Sequence, residues 1–143
     1  RLHQHGFTVA VITNQSCIGR GLAPAAEIHD INARMLRAVE DAGGHIAGVY
    51  TCPHPRDAAC ACRKPKPGLI DQAAAELGLD PRGAYLVGDA ERDIEAGRAR
   101  GCTTILVAPP GAEARNATKA HHIVPGLPEA VELILVLSRE EPP

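Results

Sequence analysis

Short apolar runs alternate with longer segments of helical periodicity along this chain, and that alternation constrains its fold more than any other feature. The runs are rich in valine, isoleucine and leucine and end in polar residues or glycine, a pattern typical of buried parallel strands. Because parallel strands need crossover connections, we predict an α/β fold with a doubly wound parallel sheet. The predicted strands are residues 7–13, 46–51, 84–87, 103–107 and 121–124, the predicted helices are residues 24–42, 67–77, 93–100 and 128–137, and residues 109–119 are a predicted surface loop.

The length, charge and cysteine content of the chain argue against several classes of protein. A chain of 143 residues is one domain by its length, and a formal net charge of -2 leaves no basic excess for nucleic acid. No apolar run approaches the ~20 residues that span a bilayer. The five cysteines are an odd number, and three of them crowd into one short segment, which favours a metal–thiolate site in a reducing compartment over disulfides. We expect a cytoplasmic protein, a monomer that binds neither nucleic acid nor membranes.

The crowded segment follows the second predicted strand and contains Cys52-x-His54 and Cys60-x-Cys62. Three thiolates and an imidazole at these spacings match a closed tetrahedral zinc site. We therefore interpret residues 52–67 as a zinc-binding loop that its ion orders. The alternatives are a cysteine-rich loop without metal and a catalytic zinc with an open coordination position.

Polar residues stand where two predicted strands end, at Thr13-Asn14-Gln15-Ser16 and at Asp89. Ligands of open parallel sheets bind beyond the carboxyl ends of the strands. A hydroxyl with backbone N–H groups at such a place can hold a phosphate, and an aspartate can hold magnesium. The alternatives are ordinary turn chemistry for the first group and capping of the following helix by Asp89.

Two cations, Arg63 and Lys64, directly follow Cys62. An arginine fork suits a phosphate, and a lysine suits a point charge on a reacting phosphoryl group. The alternative is a solvated basic pair. Together with the polar strand ends, these residues fit parts of one reaction, namely phosphate binding, charge neutralisation and metal binding.

This set of motifs resembles the haloacid dehalogenase superfamily of phosphatases, which has four motifs. Thr13 matches the second motif, Lys64 the third, and Gly88-Asp89 with Asp93 the fourth. The zinc loop followed by CRKPKPG resembles a narrower branch, which contains the D-glycero-D-manno-heptose 1,7-bisphosphate 7-phosphatases and the histidinol-phosphate phosphatases. The segment TNQSCIGRGL is similar to the heptose enzymes.

The resemblance covers residues 8–137 and implies a magnesium-dependent phosphatase. It implies removal of the 7-phosphate of a heptose bisphosphate through an aspartyl-phosphate, in heptose and lipopolysaccharide precursor synthesis. Thr13 and Lys64 would hold the transferring phosphoryl group, and Asp89 would anchor Mg²⁺. The other implied roles are substrate contact for Asn14, Gln15, Ser16 and Arg63, support for Asp93, and Zn²⁺ binding for Cys52, His54, Cys60 and Cys62.

Two features depart from the family pattern. Cys17 stands where the family usually has glycine, and a positive φ there would strain a cysteine. The first motif, an Asp-x-Asp on the opening strand that supplies the nucleophile and the general acid/base, does not occur in this sequence. We therefore expect residues 1–143 to form a single phosphatase domain that lacks its first strand and is inactive by itself, with residues 1–6 as the tail of a helix.

The missing strand would lie in the centre of the sheet, between the strands that carry Thr13 and Asp89, and both neighbours would expose an edge without it. Two other readings stay open. One is a histidinol-phosphate phosphatase, and the other is a zinc-binding module or fragment without catalytic activity.

Overall fold

The computed structural model describes residues 1–140, in which parallel strands alternate with helices and the predicted α/β fold class is confirmed. The strands are β1 (Ala10–Asn14), β2 (Gly48–Cys52), β3 (Tyr85–Gly88), β4 (Thr103–Val107) and β5 (His122–Val124). The α-helices are α1 (Ser16–Gly19), α2 (Ala25–Asp41), α3 (Gly68–Leu77), α4 (Glu91–Arg98), α5 (Ala114–Ala117) and α6 (Leu127–Glu140), and two 3₁₀ turns span His3–His5 and Pro81–Gly83.

The predicted elements and the observed elements differ most at the start of the chain. Residues 1–6 are not the tail of an α-helix, because His3–His5 form a 3₁₀ turn that ends at Gly6 with φ 84°. The first strand starts at Ala10, later than predicted, because the Phe7 N–H donates to the Leu2 carbonyl and ties that residue to the turn. The short helix α1 was not predicted, and α5 lies within the predicted loop of residues 109–119.

The strands form two parallel sheets, and the gap between them lies where the predicted sheet lacks a central strand. One sheet has the order β1-β2 and the other β3-β4-β5, and within residues 1–140 no strand joins β1 to β3. The space between these two strands holds two adjoining cavities of about 590 and 520 Å³. We call this space the interstrand slot; residues Ala10, Val11 and Ile12 line one wall, and residues Leu86 and Val87 line the other.

The backbone of β1 presents an open hydrogen-bonding edge to this slot. The Val9 carbonyl accepts from Ala47 N–H, and Gln15 N–H donates to the Cys52 carbonyl. Alternate residues of a parallel strand direct their backbone groups to opposite sides. The backbone groups of Ala10 and Ile12 therefore face away from β2, into the slot.

Helices pack against both sheets, and residues of α3 and α6 also line the slot. Helix α3 packs against β1 and β2, α4 against β3 and β4, and α6 against β4 and β5. The buried core consists mostly of aliphatic side chains, as expected for a chain with 2% aromatic residues. Among the described residues, no helix has both the length and the apolar character needed to cross a bilayer.

Candidate active site

Lys64 lies at the carboxyl end of the interstrand slot and contacts both of its sides. Its Nζ donates to the Ile12 carbonyl on β1 at 3.0 Å and lies 2.8 Å from Asp93 Oδ1 on α4. Both side chains are nearly inaccessible, with 12% of Lys64 and 6% of Asp93 exposed. Breaking a buried ion pair of this kind costs about 3–5 kcal/mol because it leaves an uncompensated charge, so the position of the ammonium group is strongly held.

Asp93, and not Asp89, caps helix α4. The Asp93 Oδ2 accepts a hydrogen bond from the Ala90 N–H at 3.1 Å, at the N-terminus of the helix. The capping role considered for Asp89 is therefore wrong. Its carboxylate is exposed and makes no hydrogen bond or ion pair to the described residues, which leaves it available as an oxygen ligand at the end of β3.

Gly88 allows this arrangement because Asp93 lies directly against its Cα. A Cβ atom at position 88 would overlap Asp93 Cβ and lie 2.8 Å from Asp93 Cγ. The glycine is thus needed for the close approach of β3 and the first turn of α4. A side chain here would push away the carboxylate that pairs with Lys64.

We predict that Gly88→Ala lowers the free energy of unfolding by about 1–3 kcal/mol, the usual cost of overpacking a closely packed position. Urea unfolding measures the change. Gly83→Ala is the matched control, since a Cβ at Gly83 meets no atom within 4 Å. Equal effects of the two substitutions would contradict the packing explanation.

The polar residues at the end of β1 and directly after it make two separate sets of hydrogen bonds. Gln15 Nε2 donates to Thr13 Oγ1 at 3.2 Å, so the Thr13 hydroxyl proton remains free to be donated. The Asn14 side chain is committed to Lys64: its Nδ2 donates to the Lys64 carbonyl at 3.2 Å, and its Oδ1 accepts from the Lys64 N–H at 3.1 Å. Ser16 begins α1, beside these residues.

Cys17 lies inside α1, and no described residue other than glycine has a positive φ. The strain considered for a cysteine at this position is therefore absent.

The four predicted zinc ligands come together at the end of β2, and we refer to them as the Cys₃His cluster. The ligand atoms of Cys52, His54, Cys60 and Cys62 all lie within 4.8 Å of one another. His54 Nδ1 is 3.6 Å from Cys52 Sγ and 3.2 Å from Cys62 Sγ, and the Cys52 and Cys60 sulfurs are 3.8 Å apart. Tetrahedral zinc with bonds of about 2.3 Å to sulfur separates its ligands by about 3.8 Å, so both the donor set and its spacing fit the ion.

The close spacing of the thiol groups of Cys52, Cys60 and Cys62 also favours the binding of a cation. Burial, then hydrogen bonds and the charges of Cys52 and Cys60, raise the pKa of Cys62 to about 12. The charge of a bound metal ion would favour the thiolate form of Cys62.

Beside the Cys₃His cluster lies a cavity of about 390 Å³ that Lys64 also lines. Arg63 turns back toward the loop, where its Nη1 donates to the His54 carbonyl at 3.0 Å. Three further cations of this cavity were missed by sequence reasoning, because single charges on a loop or on a helix surface look like solvated residues. They are Arg56, Lys66 and Arg92.

Comparisons with known proteins agree with this geometry. A family model described as HAD-hydrolase-like matches residues 61–130. The chain is 45% identical over 107 residues to D-glycero-beta-D-manno-heptose-1,7-bisphosphate 7-phosphatase of Pseudomonas aeruginosa, covering 75% of this chain and 60% of that protein. It is 43% identical over 106 residues to the protein of the same name from Neisseria meningitidis, covering 74% of this chain and 57% of that protein. The chain thus spans about 60% of the length of these relatives.

Solved structures show a similar fold over nearly the whole chain. The crystal structure of D,D-heptose 1.7-bisphosphate phosphatase from B. bronchiseptica, complexed with magnesium and phosphate, superposes with a TM-score of 0.87 at 34% identity, covering 96% of this chain and 79% of that one. A putative HAD-like phosphatase from Mesorhizobium loti superposes with a TM-score of 0.78 at 24% identity, covering 99% of this chain and 70% of that one, which supports the fold alone. On these grounds, the chain belongs to the haloacid dehalogenase-like hydrolases.

Proposed function

We propose that this site is the active site of a magnesium-dependent phosphatase that removes the 7-phosphate of D-glycero-D-manno-heptose 1,7-bisphosphate, in heptose and lipopolysaccharide precursor synthesis. The observation that supports the proposal is that Lys64 and Asp89 line the same cavity at the carboxyl end of the interstrand slot, where β1 ends with Thr13 and Asn14. The identity of the sugar substrate is inferred from the names of the relatives.

In this proposal, the positive charge of Lys64 and the hydroxyl of Thr13 hold the phosphoryl group. An ammonium group has three N–H donors; Lys64 donates one of them to the Ile12 carbonyl, and its ammonium group forms an ion pair with Asp93. Donor capacity remains for a phosphoryl oxygen, and the Thr13 hydroxyl supplies a second donor group. Such preorganised donors stabilise the charge that develops on a transferring phosphoryl group.

Asp89 is the residue that would hold magnesium. Mg²⁺ prefers oxygen ligands and is usually bound by one or two carboxylates together with phosphate oxygens and waters. The exposed, uncommitted carboxylate of Asp89 fits this role, whereas Asp93 is engaged with Ala90 and Lys64. The ion would neutralise charge on the phosphate.

The nucleophile comes, in this proposal, from an extended Asp-x-Asp segment bound in the interstrand slot. Its first carboxylate attacks phosphorus and forms an aspartyl-phosphate while the sugar oxygen leaves with a proton from the second aspartate. The second aspartate then takes a proton from water, which hydrolyses the intermediate and releases inorganic phosphate.

The Cys₃His cluster acts in this proposal as a scaffold. Cys62 stands two residues before Lys64, so a metal ion bound there stiffens the loop that presents the lysine. Because free thiolates persist in reducing compartments, we also propose that the protein acts in the cytoplasm, as a monomer on a small phosphorylated sugar.

The test is phosphate release in magnesium buffer from heptose 1,7-bisphosphate and from histidinol phosphate. Residues 1–143 are assayed alone and with a synthetic Asp-x-Asp strand peptide. We expect turnover only with the peptide, and faster turnover of the heptose bisphosphate. Faster turnover of histidinol phosphate would assign the site to that substrate, and magnesium-dependent turnover without the peptide would refute the proposed nucleophile.

A further inference from the structure

Asn14 and Lys64 are fifty residues apart in sequence. The side-chain amide of Asn14 nevertheless hydrogen bonds to both the N–H and the carbonyl of Lys64. The Asn14 Oδ1 accepts from the Lys64 N–H, and the Asn14 Nδ2 donates to the Lys64 carbonyl. Within residues 1–140 neither of these two Lys64 groups has a main-chain partner. Asn14 thus supplies the hydrogen-bond partners of a backbone segment that belongs to no helix or strand.

The same strand also holds the other end of the lysine. Lys64 Nζ donates to the Ile12 carbonyl, two residues before Asn14 on β1. Strand β1 therefore holds Lys64 at two points. The Lys64 backbone hydrogen bonds to the Asn14 side chain, and the Lys64 ammonium group hydrogen bonds to the Ile12 carbonyl.

We propose that Asn14 is a positioning residue, which sets the place of the Lys64 ammonium group at the end of the interstrand slot and does not itself contact the phosphate. The inference rests on the proposed function in one respect, the identity of the ligand that Lys64 meets. It departs from the substrate contact expected for Asn14 from sequence.

The chemistry of the pair explains why the residue is asparagine. A carboxamide offers one donor and one acceptor in a plane, matching a backbone carbonyl and N–H of the same residue. Aspartate keeps the acceptor for the Lys64 N–H but turns a second oxygen toward the Lys64 carbonyl. Alanine offers neither group and leaves both backbone groups without a partner.

The first arm of the test measures hydrogen exchange of the Lys64 amide by NMR in the 143-residue chain. We expect exchange at least about tenfold faster in Asn14→Ala, because the hydrogen bond that protects this amide is lost. Asn14→Asp keeps an acceptor and should restore most of the protection. Asn116→Ala, on the exposed surface of α5, is the control. An unchanged exchange rate in Asn14→Ala would overturn the inference.

The second arm measures the affinity for inorganic phosphate in magnesium buffer by calorimetry. Asn14→Ala should weaken binding about tenfold, and the same substitution should have no further effect in a Lys64→Ala background, since it acts through the lysine. A tenfold loss that persists in that background means that Asn14 contacts the ligand, and the inference fails. If Lys64→Ala leaves the affinity unchanged, or if no phosphate binds, the proposed function fails for this site, while the exchange arm still decides whether Asn14 positions Lys64.

Discussion

Removing the metal from the Cys₃His cluster should disorder residues 53–67 and release Lys64 from β1. These residues form no helix or strand, and prolines and small side chains leave them no hydrophobic core of their own. Structural zinc contributes ~10–16 kcal/mol apparent in zinc-finger peptides at neutral pH, which is an upper bound here because the rest of the chain folds around its own core. We expect Cys62→Ser to lower the free energy of unfolding by several kcal/mol and to reduce zinc content well below one ion per chain.

Elemental analysis of the purified chain and NMR spectra before and after chelation measure both effects. Cys17→Ser is the matched control, since Cys17 is half-buried but lies outside the cluster. The resonances of β4 and β5 should change little on chelation, because these strands have a separate core around Ile105 and Ile134. A chain that contains no zinc after mild purification, yet has an ordered loop, would exclude the metal.

The second large effect is expected when an extended peptide fills the interstrand slot. A parallel strand placed there would hydrogen bond to the backbone of Ala10 and Ile12 and bury apolar walls that are now open. Leu127, at 65% exposed, and Leu79, at 42% exposed, line the same space. A ligand that binds only the folded chain stabilises it by about 2.7 kcal/mol at a concentration of 100 times its Kd, which shifts the thermal midpoint by several degrees.

A peptide of four β-branched residues followed by Asp-x-Asp should therefore raise the midpoint in a concentration-dependent way and slow exchange of the Ile12 amide. The control peptide carries proline at its second position, which removes a ladder donor and is not accommodated in a central strand. Equal stabilisation by both peptides, or protection only of amides remote from β1, would count against a strand in the slot.

Sequence reasoning succeeded where the signal is local. The strand at residues 103–107 consists of two β-branched threonines followed by Ile-Leu-Val, and its observed bounds match the predicted bounds. The helix predicted for residues 67–77 was found at Gly68–Leu77, ended by Gly78 in the left-handed conformation. The Cys₃His cluster could be predicted because its ligands lie within eleven residues of one another, so little besides the loop itself decides their meeting.

Sequence reasoning failed where the partner is distant or the competing interaction is tertiary. The hydrogen bonds between Asn14 and Lys64 join elements fifty residues apart, and neither residue type indicates the other. The choice between Asp89 and Asp93 as the helix cap depends on how closely α4 approaches Gly88, which only the packed structure determines. Phe7 has strand propensity, but a hydrogen bond to Leu2 overrides it.

The contacts of Lys64 also depend on the distance between the two sheets. Ile12 belongs to one sheet and Asp93 to the helix that follows the other, and the ammonium group lies 3.0 and 2.8 Å from their oxygens. An increase in the separation of the two sheets would lengthen at least one of these distances if the lysine side chain stayed in place. The position of the Lys64 ammonium group is therefore coupled to the width of the interstrand slot. A molecule that changes this width should also change the affinity for an anion at the carboxyl end of the slot.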